Sequence, residues 1–265
     1  MNCKSIILLI VVLLFWGNAE ARKKKGKKVE EVQTESAYRK FFKGKACETA
    51  KGMITLHKMD GRVYFEIPLA LMGREMLMGS TISEITNNGF GSVGEKPKGL
   101  LYISFVRCDS VISLKQLTAQ YDTNEENLKQ RIKESTIPAT IKNFKITTYN
   151  EDSTAVVIDM TDYLVSADEA IDPFSPWAPI LAGGERVMEK EFRRENSQVV
   201  SIKAFEDNVS VKSSLTYGLS LKNKVMYIFQ REPFTAVMTR SFILLPEHPM
   251  RPRLADPRIA IFSQG

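Results

Sequence analysis

A chain of 265 residues, 43% hydrophobic and 26% charged, has the make-up of a globular protein that can bury a core, which excludes disordered and fibrous classes. Its 37 lysines and arginines exceed its 31 acidic residues, for a net charge of +6. Six of those basic groups fall in residues 22–28; with these and the first 21 residues (one lysine, one glutamate) set aside, the rest balances at 30 against 30, so the body lacks the charge of a nucleic-acid binder and no nucleic-acid partner is expected.

The chain opens with Lys4, then eleven apolar residues from Ile6 to Trp16, then Gly17-Asn18-Ala19-Glu20-Ala21. A charged start, a short apolar run and an A-x-A site predict an export signal over 1–21, cleaved after Ala21, and a periplasmic or secreted product. As a helix the apolar run would span roughly 16 Å, short of the ~30 Å hydrocarbon core, so a membrane anchor is the weaker reading. The basic run RKKKGKK, from Arg22 to Lys28, follows at once and works against translocation. It heads a flexible leader over 22–36, whose only expected contact is a weak one with an anionic membrane surface.

Residues 36–50 predict a short helix around Tyr38-Arg39-Lys40-Phe41-Phe42. Strands at 53–57 and 62–67 flank Asp60-Gly61, a hairpin pair because the turn needs residues that tolerate positive φ. Pro68 should end the second strand. Residues 69–78 read as a brief helix or turn, with Met72, Met76 and Met78 either filling a core or lining a groove. Strands are expected at 100–106 and 110–114. A helix is expected over 123–134, with Thr123 and Glu126 as a capping box and Leu128/Ile132 as its apolar face. Strands follow at 141–149 and 155–160 around the turn 150–153. A long loop over 166–184 carries Trp177. The remainder, 199–205, 209–217, 225–231 and 234–245, reads as a meander, with Val209, Val211, Ser213, Leu215 and Tyr217 on one face. The predicted fold is α+β, predominantly antiparallel sheet with a few short helices. A small leading domain, 37–95, is packed on a larger β-rich one, 96–262.

No chemical motif survives inspection. Gly89-Phe90-Gly91-Ser92-Val93-Gly94 fits G-x-G-x-x-G, but Pro97 and Gly99 prevent the helix that would bring amides to a phosphate. The kinase version wants valine where Lys96 stands. H-E-x-x-H needs two histidines one turn apart, and the chain has only His57 and His248, both expected as surface or packing residues. There is no G-x-S-x-G, and neither Cys47 nor Cys108 has a histidine beside it in sequence. These two cysteines are open to pairing in an oxidising compartment or to burial as free thiols. The carboxylates Asp159/Asp162 and Asp168/Glu169/Asp172 are expected in solvated turns, with Asp159 capping the 162–164 turn.

Several stretches resemble one family. YRKFFKG (38–44), AKG (50–52), HK (57–58) and DGRVYFEIP (60–68) resemble the leading domain of large exported zinc-dependent metalloproteases of Bacteroides-type bacteria, whose catalytic part is metzincin-like. AVVIDMTDY (155–163) and VVSIKAFEDNVSVKSSL (199–215) continue the match. SFILLPEHPMRPRLADPRIAIF (241–262) is similar to the junction before the protease domain, with Ala260-Ile261 in place of the common Gly-Tyr. The family's H-E-x-x-H, third histidine and methionine turn match no position here, so no catalytic residue, metal ligand or cofactor carries over. The resemblance therefore implies a non-catalytic N-terminal region of an exported zinc metalloprotease, cut before the catalytic domain. It would be a folding, positioning or substrate-binding platform, inactive by itself, whose partner is a metzincin-like catalytic domain in cis or in trans. Asp256 is the one candidate inhibitory zinc ligand, offered in trans; the plainer role is an ion pair with Arg253 or Arg258. The alternatives are a stand-alone periplasmic binding module for peptide or glycan, and an enzyme with a spatially assembled site.

Overall fold

The computed structural model describes residues 36–117, 125–175, 186–223, 229–248 and 250. The expected export signal, the basic run 22–28, Thr123, Trp177 and Asp256 lie outside them. The described residues form an α+β fold dominated by one antiparallel sheet of twelve strands.

Helix α1 (Ala37–Phe42) starts where Ser36 Oγ accepts the Arg39 N–H at 3.1 Å, so Ser36 is a helix cap. Strands β1 (Glu48–Ala50), β2 (Thr55–Met59) and β3 (Arg62–Pro68) follow. Asp60 and Gly61, at φ 53° and 73°, make the two-residue turn that pairs Met59 with Arg62, as the Asp-Gly signal predicts. Val63, Phe65 and Ile67 point to the main core, while Tyr64 points outward under α1, against Phe41. Both faces of β3 are thus covered, which explains its nearly unbroken apolar run.

After a 3-10 turn (Leu69–Leu71), β4 (Glu75–Ile85) carries Met76, Met78, Ser80 and Ile82 inward. The expected brief helix or turn over 69–78 therefore holds for residues 69–73, whereas 75–78 open β4, where Met76 and Met78 are buried core. Strands β5 (Leu101–Cys108), β6 (Val111–Gln116), β7 (Ala139–Tyr149) and β8 (Ala155–Asp159) build one half of the sheet. Helix α2 (Glu126–Ser135) interrupts them. Its N-cap is Glu125, without a side-chain cap bond, and Glu126 is the first helical residue; the expected capping box involves Thr123, which lies outside the described residues. Short helix α3 (Thr161–Leu164) follows β8, and Asp159 Oδ1 accepts the Thr161 N–H at 2.9 Å, close to the capping role expected of it. Strands β9 (Arg186–Phe192), β10 (Gln198–Ala204), β11 (Asn208–Asn223) and β12 (Phe229–Leu244) complete the sheet. Residues 229–231 and 234–244, expected in two strands, belong to one that runs through Pro233.

The strand order is β1-β2-β3-β8-β7-β6-β5-β4-β12-β11-β10, with β9 also on β11. The sequence stretches expected as separate domains are interleaved in this order. The leading strands pair with β8 on one side, β4 lies between β5 and β12, and one core joins Phe65 to Phe105 and Phe242. The sheet curls until its ends meet. Met53 N–H donates to the Phe205 carbonyl at 2.7 Å, and Lys58 Nζ to that of Val200 at 2.6 Å. Gly52 permits this approach, since a Cβ there would stand 2.4 Å from the Phe205 carbonyl oxygen.

Candidate functional site

The outer face of β4 and β12 is apolar where the chain leaves the sheet. Leu77 is opposite both Ile243 and Tyr102, and Gly79 is opposite Ser241. These residues face outward because Met76, Met78 and Phe242, between them, face the core. Leu100 lies over Gly79, where a Cβ would approach its Cδ2 to 3.0 Å. Leu100 is 53% and Ile243 42% exposed. Burial and the Glu75 carboxylate push the Tyr102 phenol up to about 12. The departing chain is held beside this patch. Leu245 N–H donates to the Glu75 carbonyl at 3.0 Å, and Arg74 donates to Glu247 at 2.6 Å and to the Leu245 carbonyl at 3.2 Å. His248, next in line, is exposed, as expected of it.

His57, by contrast, is buried, in a chain of polar groups that spacing did not reveal. Nδ1 lies 3.0 Å from Thr49 Oγ1 and 3.9 Å from Cys47 Sγ, while Nε2 lies 2.9 Å from Glu66 Oε2. Tyr38 OH donates to the same Glu66 oxygen at 2.7 Å. The bond from His57, helped by Tyr38 and opposed by burial, holds Glu66 below the usual carboxylate range. Ionised Glu66 accepts a hydrogen bond from Nε2, and Nδ1 faces Thr49 Oγ1 more closely than Cys47 Sγ, so the group works first as a satisfied buried network. The hairpin register contains the signal for this cluster. Asp60-Gly61 sets Met59 opposite Arg62, hence His57 opposite Tyr64 and diagonal to Glu66.

A third cluster overturns an expectation. Asp172 is not in a solvated turn: it is 1% exposed. Its Oδ1 takes Lys98 Nζ at 3.0 Å and the Phe174 N–H at 3.1 Å; its Oδ2 takes Lys190 Nζ at 2.8 Å. Deeper still lies Arg240, 0% exposed. Its signal was legible, because strict alternation along β12 puts Arg240 in phase with Ala236, Met238 and Phe242.

Other nominated residues stay apart. Cys47 and Cys108 are free thiols, as the second of the two open readings has them, but half-buried rather than fully buried. Residues 89–94 form the loop between β4 and β5, with Gly94 at φ 88°. Among the described residues no three His, Cys, Asp or Glu side chains are grouped so as to hold a metal ion. An open cleft of about 650 Å³ lies between the start of α1 and β7, with Tyr38, Lys145, Tyr149 and Glu151 among its walls.

Comparison with known families gives two matches. Residues 95–265 match the model of a domain of unknown function, DUF5117, and residues 35–85 match that of a second, DUF5118. No curated protein and no solved structure matches the chain.

Proposed function

Because this chain belongs to the DUF5117 family, with a DUF5118 domain leading it, we propose that it is the non-catalytic N-terminal region of an exported zinc-dependent metalloprotease and acts as a docking and positioning platform for a metzincin-like catalytic domain. The observation that carries this reading is the apolar outer patch of Leu77, Leu100, Tyr102 and Ile243 beside the point where residues 245–248 leave the sheet. Apolar side chains exposed together on an outer sheet face are suited to burial against a partner. A domain tethered at that exit would meet the patch at high effective concentration. The resemblance of residues 241–262 to the junction ahead of the protease domain supports the same direction of approach. In this role the chain contributes no catalytic zinc ligand, and Asp256 remains the one acidic side chain proposed to reach the partner's metal, as an inhibitory ligand in trans.

Binding measurements test this directly. The H-E-x-x-H-bearing catalytic region of such a protease, made as a separate chain, should form a one-to-one complex with this protein in size-exclusion chromatography and calorimetry. The double change Leu100→Glu and Ile243→Glu should weaken that complex at least tenfold, as loss of a central contact does. Absence of any complex would refute the platform. A second reading, a stand-alone module for peptide or glycan, is favoured by the cleft lined by Tyr38 and Tyr149. It predicts binding to peptide or oligosaccharide arrays that is lost in Tyr149→Ala and unchanged by the patch substitutions.

A further inference from the structure

The interior of the curled sheet holds hydrogen-bond donors that no acceptor answers. Arg240 is fully buried, and its one hydrogen bond among the described residues runs from Nη2 to the Ile171 carbonyl at 3.0 Å. Its Nε and Nη1 have no partner there. Tyr163 and Tyr217, each 1% exposed, have hydroxyls in the same condition, and both lie within reach of the guanidinium's field. Ser213, 0% exposed and also unpartnered, stands diagonally across from Arg240, since it is opposite Met238.

The charges around this space do not balance. Burial pushes Arg240 down to about 10, which leaves it charged at neutral pH. Burial also raises both phenols above their usual range, so they stay protonated and able to donate. Asp172, whose field reaches Arg240, has both oxygens occupied by Lys98, Lys190 and the Phe174 N–H. Asp168, near Tyr163, has an oxygen on the Ala170 N–H at 2.9 Å. The two lysines thus already hold the one carboxylate among the described residues whose field reaches Arg240, and every unanswered group can donate. A guanidinium so deeply buried is strongly disfavoured unless it is paired. A cation would be repelled, and water would supply an acceptor but no charge.

We infer that this interior binds one small monoanion, a halide or the carboxylate of a small acid, through Arg240 Nε and Nη1 with the Tyr163 and Tyr217 hydroxyls. The anion sits inside the core, so it stabilises the folded state by mass action. This inference does not depend on the docking role.

Thermal unfolding of the full chain, dialysed into sodium gluconate, tests it. Gluconate, far larger than the other anions, holds the ionic strength fixed while sodium chloride, sodium bromide or sodium formate replaces it. The melting temperature should rise with a saturating dependence on the small anion. A response to chloride and bromide alone would assign a halide, and a response to formate alone a carboxylate. Arg240→Met, which keeps length and removes charge, should abolish the response. Tyr217→Phe should keep the fold and raise the half-saturating concentration about tenfold, the usual worth of one hydrogen bond to a charge; it decides the matter should Arg240→Met fail to fold. Equal behaviour in all salts, as from an interior satisfied by ordered water, would overturn the inference. So would an ion-specific rise that persists unchanged in both variants.

Discussion

Phe242→Ala is the most informative single change in this core. Phe242 is 0% exposed on the inward face of β12. Its ring meets Phe65 of β3 edge-on at 5.4 Å and Phe105 of β5 in a stack at 6.2 Å. Truncating a buried Phe costs about 3–5 kcal/mol, and each aromatic pair adds roughly 0.5–1.5 kcal/mol beyond area, so the upper part of that range is expected, about 4–5 kcal/mol. Against a total stability of about 5–15 kcal/mol, this is about a quarter or more of the whole. The same reasoning makes Phe65→Ala comparably costly, and the double variant should cost less than the two summed, because they share one contact. Urea unfolding followed by far-UV circular dichroism measures all three. One cooperative transition is expected for each variant, since β3 and β12 are cemented by the same rings. Two separated transitions, or a Phe242→Ala cost under about 1 kcal/mol, would refute the shared core.

Three further outcomes follow from named contacts. Gly52→Ala places a methyl 2.4 Å from the Phe205 carbonyl oxygen and 2.6 Å from its amide nitrogen, backbone atoms that yield poorly, and should cost about 1–3 kcal/mol by urea melt; a neutral result would mean that the sheet ends do not meet. Glu66 sits below its ordinary value of 4.5 when folded, so its contribution is present above that pH and is lost as pH falls through the depressed value. Glu66→Gln should therefore be destabilised at pH 7, and its deficit against the unaltered protein should narrow at pH 3; a constant deficit would contradict the assignment. Asp172→Asn should cost about 2–3 kcal/mol, below the full price of breaking a buried pair because Lys98 and Lys190 keep 19% and 29% exposure; no loss in the urea midpoint would mean that the lysines find water at little cost.

What sequence revealed here was local. Asp60-Gly61 announced its hairpin because positive φ at two successive residues suits few pairs. The alternation from Val209 to Tyr217 announced β11 because all five residues are buried on one face. Strand β4 escaped notice because Gly79, Ser80, Thr81 and Ser83 dilute the alternation that Met76, Met78 and Ile82 keep. Helix α2 starts later than the spacing of Thr123 and Glu126 suggests, because Glu126 is the first helical residue and not the third. The clusters were harder to see, for a different reason. His57 meets Cys47, and Tyr38 reaches the Glu66 that holds it, only when α1 and β1 fold over the hairpin. Asp172 meets Lys98 only through strand order. Arg240 was in phase with the core all along, but charge argues against burial until its surroundings are known. The outer patch needed β4, β5 and β12 side by side, a neighbourhood that no single stretch contains.

Whether this chain serves a protease domain can be read from the coding DNA past codon 265, translated in all three frames. An H-E-x-x-H segment is expected downstream, in frame or in an adjacent reading frame. A downstream region with no such segment in any frame would contradict the platform role and leave the cleft at Tyr38 and Tyr149 as the place to look for a ligand.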